Sequence, residues 1–383
     1  MVISGTRSRF REILVLVLVV LFAVTFYLAL RHKRDLVDYT VYETAATRVL
    51  GAEPLYRASD EHWQYKYLPA FAYTMTPFAK MPPEVARAVW FGLSFGLVIL
   101  FLRLSASAIP DPRLTQSRLI WLTALLLIKC WAKDLIFGQT NVLLGVVCVY
   151  ALLAAQRKRP VAAGALVGVA FFVKPYALIL VPWLALSLGV PALVSFAAVI
   201  IAGLALPIIN YGWQGNLDLI VAWYHTVTDT TAPNLFDPEN ISFATMWAKW
   251  IGATGTAHML ALATCVAAMA LVGVAFLMRR RAKQPDFLEV GLLLLFVPLI
   301  SPQGWDYVLV LAVPLVMCLV DRWPLLPIPW RLLAGLSLFI LGFTVFDVVG
   351  RVLYAYAMKT SIISLAAVAV AVCGVYLRST SRA

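Results

Sequence analysis

Apolar runs separated by short polar blocks recur along the whole chain. A helix crossing a hydrocarbon core of about 30 Å needs about 20 residues. On that measure the runs predict spans at 13 to 30, 84 to 104, 118 to 132, 139 to 155, 160 to 174, 176 to 190, 191 to 209, 258 to 278, 287 to 300, 305 to 320, 329 to 347 and 359 to 377. The expected fold is all-α: a polytopic membrane protein of about 12 transmembrane helices, with interfacial helices in its first outer loop. It reads as a single domain over 1–383, with a core at about 13–320 and C-terminal helices at 329–377.

The segment from Leu68 to Ala79 is apolar enough to compete for a place in that count. At about 1.5 Å per residue its length reaches only about 18 Å, and Pro69 and Pro77 bracket it. Basic residues decide the matter, because they gather on the cytoplasmic side of a membrane. They form blocks at Arg7, Arg9 and Arg11, at Arg157 to Arg159, at Arg279 to Lys283, and at Arg378 and Arg382. Leaving 68 to 79 out puts every block and both termini inside, so that segment is expected on the outer surface. The polar segments 31 to 83, 133 to 138, 210 to 257, 301 to 304 and 348 to 358 then face outward.

Composition agrees, with 62% hydrophobic and only 13% charged residues, against about a quarter charged in a soluble domain. The net charge of +12 resides in the topogenic blocks, so no nucleic-acid partner is expected. Cys130, Cys148, Cys265, Cys318 and Cys373 are scattered singly in apolar stretches, as small core residues are. The run from Ile13 to Leu30 ends without a small-residue cleavage site and reads as a retained first span. Gly164 and Gly168, four apart, permit close helix packing either within the fold or between chains.

Candidate chemistry gathers in the outward segments. The first outer loop interleaves Asp35, Asp38, Glu43, Glu53, Asp60 and Glu61 with Tyr39, Tyr42, Tyr56, Trp63, Tyr65 and Tyr67. Carboxylates beside aromatic faces suit a polyhydroxyl ligand, and Tyr and Trp also populate membrane interfaces. Residues 39 to 50 have the spacing of a short amphipathic helix with Gly51 as its stop. Asp38 stands at the N-cap position, where it can cap the helix or accept a proton from a hydroxyl. Lys174, before Pro175 at the end of a span, can snorkel to the interface or hold a phosphate. Lys66, Lys129, Lys133 and Arg351 compete for the second role. Gln139 and Asn141 begin a span, where amides cap helices or bind sugar hydroxyls. Nothing in the chain matches a nucleotide-binding glycine loop, and His32, His62, His225 and His258 are too dispersed to suggest a metal site.

The ordered series Asp38-Tyr-Thr-Val-Tyr42, Gly51-Ala-Glu-Pro-Leu-Tyr56, Tyr65-Lys-Tyr-Leu-Pro69, Gly138-Gln-Thr-Asn141, Val173-Lys-Pro175, Asn240-Ile-Ser242 and Ser301-Pro-Gln-Gly-Trp305 resembles the polytopic GT-C glycosyltransferases, and within them glycosyltransferase family 87. The resemblance spans roughly residues 13 to 320. It implies a polyprenyl-phosphate-linked sugar donor, commonly mannose, and a lipid or glycan acceptor. It implies a bacterial inner-membrane, cell-envelope enzyme working among membrane lipids on the non-cytoplasmic side. By position the general base would be Asp38, with Asp35 as its nearest rival. Lys174, Lys66 or Arg351 would hold the donor phosphate, and Tyr42, Tyr65, Gln139, Asn141, Asn240, Trp305 and Asp306 would contact substrate. The donor carries its own leaving group, so neither a cofactor nor a metal is expected.

One departure stands out: relatives often have a histidine near the Trp305 motif, where this chain has Asp306 and Tyr307. Two other readings share these features. An arabinofuranosyl or other lipid-phosphate sugar transferase would use the same groups. A transporter or flippase of a lipid-linked saccharide would instead place ionisable residues near the bilayer midplane on broken helices.

Overall fold

The computed structural model describes Val17 and residues 36–380. Asp35 and the predicted first span at 13 to 30, apart from Val17, lie outside the described residues. What is described is helical, with one isolated antiparallel bridge between Asn240 and Trp305. The order is α1 (Val37–Leu50), α2 (Pro69–Ala79), α3 (Pro83–Ala108), α4 (Gln116–Leu126), α5 (Ile128–Phe137), α6 (Asn141–Gln156), α7 (Pro160–Val173), α8 (Val181–Leu188), α9 (Val190–Ala205) and α10 (Ile208–Asp229). There follow α11 (Phe243–Ile251), α12 (Gly255–Leu277), α13 (Asp286–Ile300), α14 (Val313–Asp321), α15 (Ile328–Phe343), α16 (Phe346–Val349), α17 (Arg351–Thr360) and α18 (Ile362–Thr380).

Among the described residues α3, α12 and α18 are each long and apolar enough to cross a membrane. The pairs α5–α6 and α9–α10 qualify only if each bent pair is one span, and they turn by 117° and 94°. Other predicted spans coincide with helices that are shorter or divided. The run at 118 to 132 breaks at Leu127 between α4 and α5, and those at 176 to 190 and 305 to 320 begin as 3-10 turns, Pro175–Leu180 and Asp306–Ala312. Proline explains several starts, since its fixed φ and missing N–H suit a first helical turn and it opens α2, α3 and α7.

The segment at 68 to 79 is the helix α2, eleven residues long and so about 16 Å from end to end, too short to span. It packs on α1, which buries Tyr39, Tyr42, Ala45, Ala46 and Val49 as the spacing predicts. The expected cap is different. α1 starts one residue earlier than Asp38, Leu36 occupies the cap position in a left-handed conformation (φ 56°), and no side chain caps the helix. Asp38 lies in the first turn, where a negative charge is favoured by the helix dipole, and its carboxylate is left for other partners.

Small residues bring α7 and α9 together. A Cβ at Gly164 would stand 1.9 Å from the Ala192 carbonyl oxygen, one at Gly168 2.8 Å from Val199 Cβ, and one at Gly203 2.2 Å from the Phe172 ring. The Gly164–Gly168 spacing therefore serves packing inside the fold. Around the other side, α13 is buried along nearly its whole length against α14, α18 and the Asp306–Ala312 turn.

Candidate active site

The site begins where α1 meets the bend between α5 and α6. Gly138 ends α5 with φ 71°, a conformation that L residues with a Cβ adopt only at a cost. A Cβ there would stand 2.9 Å from Tyr39 Cβ and 3.0 Å from Leu36 Cδ2. The Leu36 N–H donates to the Ile136 carbonyl at 2.8 Å, and Trp90 Nε1–H donates to the Gly138 carbonyl at 3.0 Å. The glycine thus lets the start of α1 lie directly on the bend, which places Asp38 within hydrogen-bonding reach of Gln139.

Both residues face a cavity of about 740 Å³, whose walls also include Val37, Tyr42, Lys66, Tyr67, Lys174, Trp223, Glu239, Gln303, Trp305 and Tyr307. Lys174 caps the end of α7 and is held by two amide oxygens, Gln139 Oε1 at 3.0 Å and Asn141 Oδ1 at 2.7 Å. Its ammonium stands 5.6 Å from the centre of the Tyr67 ring. Tyr42 and Tyr67 join hydroxyls at 2.7 Å, and Gln139 Nε2 donates to the Tyr307 hydroxyl at 3.2 Å. These neutral partners orient the lysine without cancelling its charge.

Lys66 occupies another part of the wall, 3.4 Å from Gln303 Oε1, while Trp223 Nε1–H donates to its carbonyl at 3.1 Å. Burial pulls the Lys66 ammonium below the ordinary lysine range, with Asp38 opposing the shift. Burial likewise raises the Asp38 carboxyl above its ordinary value. Lys174, the Gln139 amide, Lys66 and His62 all pull it down without offsetting the desolvation. Two further carboxylates reach the cavity with other attachments. Glu239 accepts from Lys133 at 2.7 Å and from the Tyr354 hydroxyl at 3.2 Å, and Asp237 accepts from the Glu239 N–H at 2.8 Å.

Of the residues singled out in the sequence, Asp38, Tyr42, Lys66, Gln139, Lys174 and Trp305 line this cavity. Asn141 lies immediately behind it, fully buried, bridging Lys174 to Asp134. Four others do not line it. Tyr65 is buried with its hydroxyl on the Leu68 carbonyl at 3.0 Å. Asn240 is also buried; its Nδ2 donates to the Pro302 and Asn234 carbonyls at 2.9 and 3.0 Å, pinning the loop that carries Gln303 and Trp305. Asp306 is enclosed by Lys129 at 3.0 Å and Lys133 at 3.1 Å, and with Glu239 on Lys133 at 2.7 Å it forms a network of two carboxylates and two ammonium groups. Arg351 is exposed at the start of α17.

Sequence reasoning missed Asp134 and underrated Tyr67, Gln303 and Tyr307. Asp134 sits seven residues before Asn141, and only the sharp turn between α5 and α6 brings the two side chains to 2.7 Å. Tyr67 was one aromatic among many, and nothing in its local pattern separates it from Tyr65. Among the described residues no three His, Cys, Asp or Glu side chains are grouped closely enough to share an ion.

The family model for glycosyltransferase family 87 matches residues 65–302. The matched stretch includes Lys66, Gln139, Asn141 and Lys174, and ends short of Asp38 on one side and Trp305 on the other. No curated protein matches the chain.

Proposed function

The chain belongs to glycosyltransferase family 87, and on that premise we propose that it moves mannose from a polyprenyl-phosphate donor to a lipid or glycan acceptor, with Asp38 as general base. The observation that carries the proposal is the shared cavity, where Asp38 faces Lys66 and Lys174, two lysines that among the described residues make no ion pair with a carboxylate. Asp35, the rival base, lies outside the described residues.

Transfer from such a donor requires a base for the incoming hydroxyl and a cation for the departing phosphate. The acceptor hydroxyl gives its proton to Asp38 while its oxygen bonds to the anomeric carbon. The bond from that carbon to the phosphate oxygen breaks, and its electron pair leaves on the polyprenyl phosphate. Lys174 and Lys66 stabilise the charge that develops there. Because attack and departure occur on opposite faces, the anomeric configuration inverts. A raised carboxyl basicity at Asp38 favours proton uptake, and Glu239, already bound by Lys133, is the weaker candidate.

The same reading gives twelve spans, both termini cytoplasmic and a cavity opening on the periplasmic side of a bacterial inner membrane. The basic blocks support that orientation, and the family match favours transfer over transport. Membranes carrying Asp38→Asn or Glu239→Gln, assayed for mannose transfer from polyprenyl-phosphate mannose, provide the test. Loss of transfer in the first and its survival in the second is the expected result. Full turnover by a folded Asp38→Asn protein would remove the assignment.

A further inference from the structure

α10 has three distinct faces. Trp213, Leu217, Val221 and Tyr224 are exposed at 68%, 40%, 56% and 62%, a stripe at helical spacing. Gln214, Asp218 and His225, each one residue beyond a member of that stripe, form an exposed polar stripe that Asp229 continues. The remaining face is turned to the protein: Asn216 Nδ2 donates to the Leu204 carbonyl at 3.0 Å, and Trp223 Nε1–H to the Lys66 carbonyl at 3.1 Å.

The two exposed stripes run side by side along the helix, since a step of one residue rotates the side chain by about 100°. The boundary between apolar and polar surroundings must therefore run parallel to the helix axis. A helix crossing the bilayer would drag Asp218, His225 and Asp229 through hydrocarbon. One wholly in water would leave four large apolar side chains solvated in a row. Only an axis lying in the plane of the lipid–water boundary satisfies both stripes.

An independent relationship gives the same orientation. α9 contains no charged residue and exposes Val190, Val194 and Ile201 at 70%, 62% and 69%, as a lipid-facing helix along the membrane normal would. α10 leaves it at 94°, continuing the same apolar surface through Ile209, which is 78% exposed. Gly212, with φ 67° and open space where a Cβ would be, completes the turn.

We propose that α10 lies in the lipid–water boundary of the bilayer and fixes the cavity at the depth of the lipid headgroups. Its packed face supplies Trp223 and Val227 to the cavity wall and holds the backbone of Lys66. The occupant of the apolar stripe is the bilayer itself. The inference concerns location and stands apart from the identity of the transferred sugar.

Spin labels on cysteines introduced singly into the full-length chain in phospholipid vesicles would test it. Labels at Leu217→Cys and Val221→Cys are compared with Asp218→Cys and His225→Cys for collision with oxygen, which concentrates in lipid, and with a water-soluble nickel chelate. The chain without an added cysteine supplies the background from its five native thiols. The oxygen-to-nickel ratio is expected to be several-fold higher at 217 and 221 than at 218 and 225. Equal ratios at all four, whether lipid-like or water-like, would overturn the proposal. All four positions are exposed, and a variant that fails to fold is replaced by Trp213→Cys, Tyr224→Cys or Gln214→Cys on the same stripe.

Discussion

Lys174 Nζ donates to Asn141 Oδ1 at 2.7 Å, while Nδ2 of the same amide donates to Asp134 Oδ1 at 2.7 Å. Asn141 thus holds a cation and a carboxylate apart and gives the lysine a neutral acceptor, which leaves its charge for an anion in the cavity. A hydrogen bond to a charged group contributes about 1.5–3 kcal/mol. Asn141→Ala removes the acceptor from Lys174 and the donor from Asp134 together. The expected result is a rise in donor KM of about ten- to a hundredfold, read from initial rates against polyprenyl-phosphate mannose. An unchanged donor KM would show that the orientation of Lys174 does not matter.

Asp38 places function and stability in opposition. Burial raises its carboxyl in the folded protein, so between the unfolded and folded values the native state binds more protons, and stability falls as pH rises through that window. Above it the ionised carboxylate is a standing destabilisation. Asp38→Asn is expected to melt at or above the wild-type temperature in detergent at neutral pH, while transfer falls by about 10²–10⁴. A lower melting temperature would mean that the charged form is net favourable where it sits.

The pH dependence of transfer follows from the same two shifts. Activity should disappear as pH falls through the Asp38 value, at a point above the ordinary carboxylate range. It should also decline on the alkaline side as Lys66, drawn below the ordinary lysine range by burial, loses its proton. Lys66→Arg keeps the charge on a group that does not titrate there, so the alkaline limb is expected to move upward while the acid limb stays. A bell whose limbs are both unmoved would take Lys66 out of the rate-determining chemistry.

That the chain is helical, where several helices start, and the six residues that line the cavity could be read from the chain through local signals: apolar period, proline at helix starts, polar residues beside a span. The breaks inside 118 to 132, 176 to 190 and 305 to 320 could not. Four candidates lay elsewhere for reasons that no local pattern carries. Asp306 has the chemistry of a ligand contact, yet Lys129 and Lys133 arrive from α5 to neutralise it. Asn240 looks equally free in sequence, and the Asn234 and Pro302 carbonyls consume its side-chain amide. Asp134 escaped notice because its partner Asn141 becomes a neighbour only through a 117° turn. Burial of ions and sharp reversals of direction are tertiary facts.

The contact between α7 and α9 depends on glycine for lack of space. A side chain at Gly164 would enter the Ala192 carbonyl, 1.9 Å from the Cβ position, and backbone cannot give way as a flexible side chain can. Gly164→Leu is expected to lower stability by about 1–3 kcal/mol, measured as a drop in melting temperature in detergent. No drop would mean that the two helices separate freely.

Gly138 combines both constraints at the site itself, and a second glycine of positive φ away from the site separates them. Its φ of 71° makes any L residue unfavourable by about 1–2 kcal/mol, and a Cβ would stand 2.9 Å from Tyr39 Cβ. Gly189 shares the positive φ, 70°, but with ψ −159° it sits in a region that is essentially glycine's alone, and nothing lies within 4 Å of its Cβ position. Alanine at Gly189 therefore incurs at least as large a conformational cost as at Gly138, but only Gly138→Ala pushes α1 off the α5–α6 bend and moves Asp38 from Gln139. Since a displacement of about 1 Å can slow a reaction by about a hundredfold, Gly138→Ala is expected to lower kcat by about ten- to a hundredfold. Gly189→Ala should keep wild-type kcat despite an equal or greater loss of stability from backbone strain. Equal activity in the two variants, assayed well below both melting temperatures, would show that the seat of α1 on the bend does not position the base.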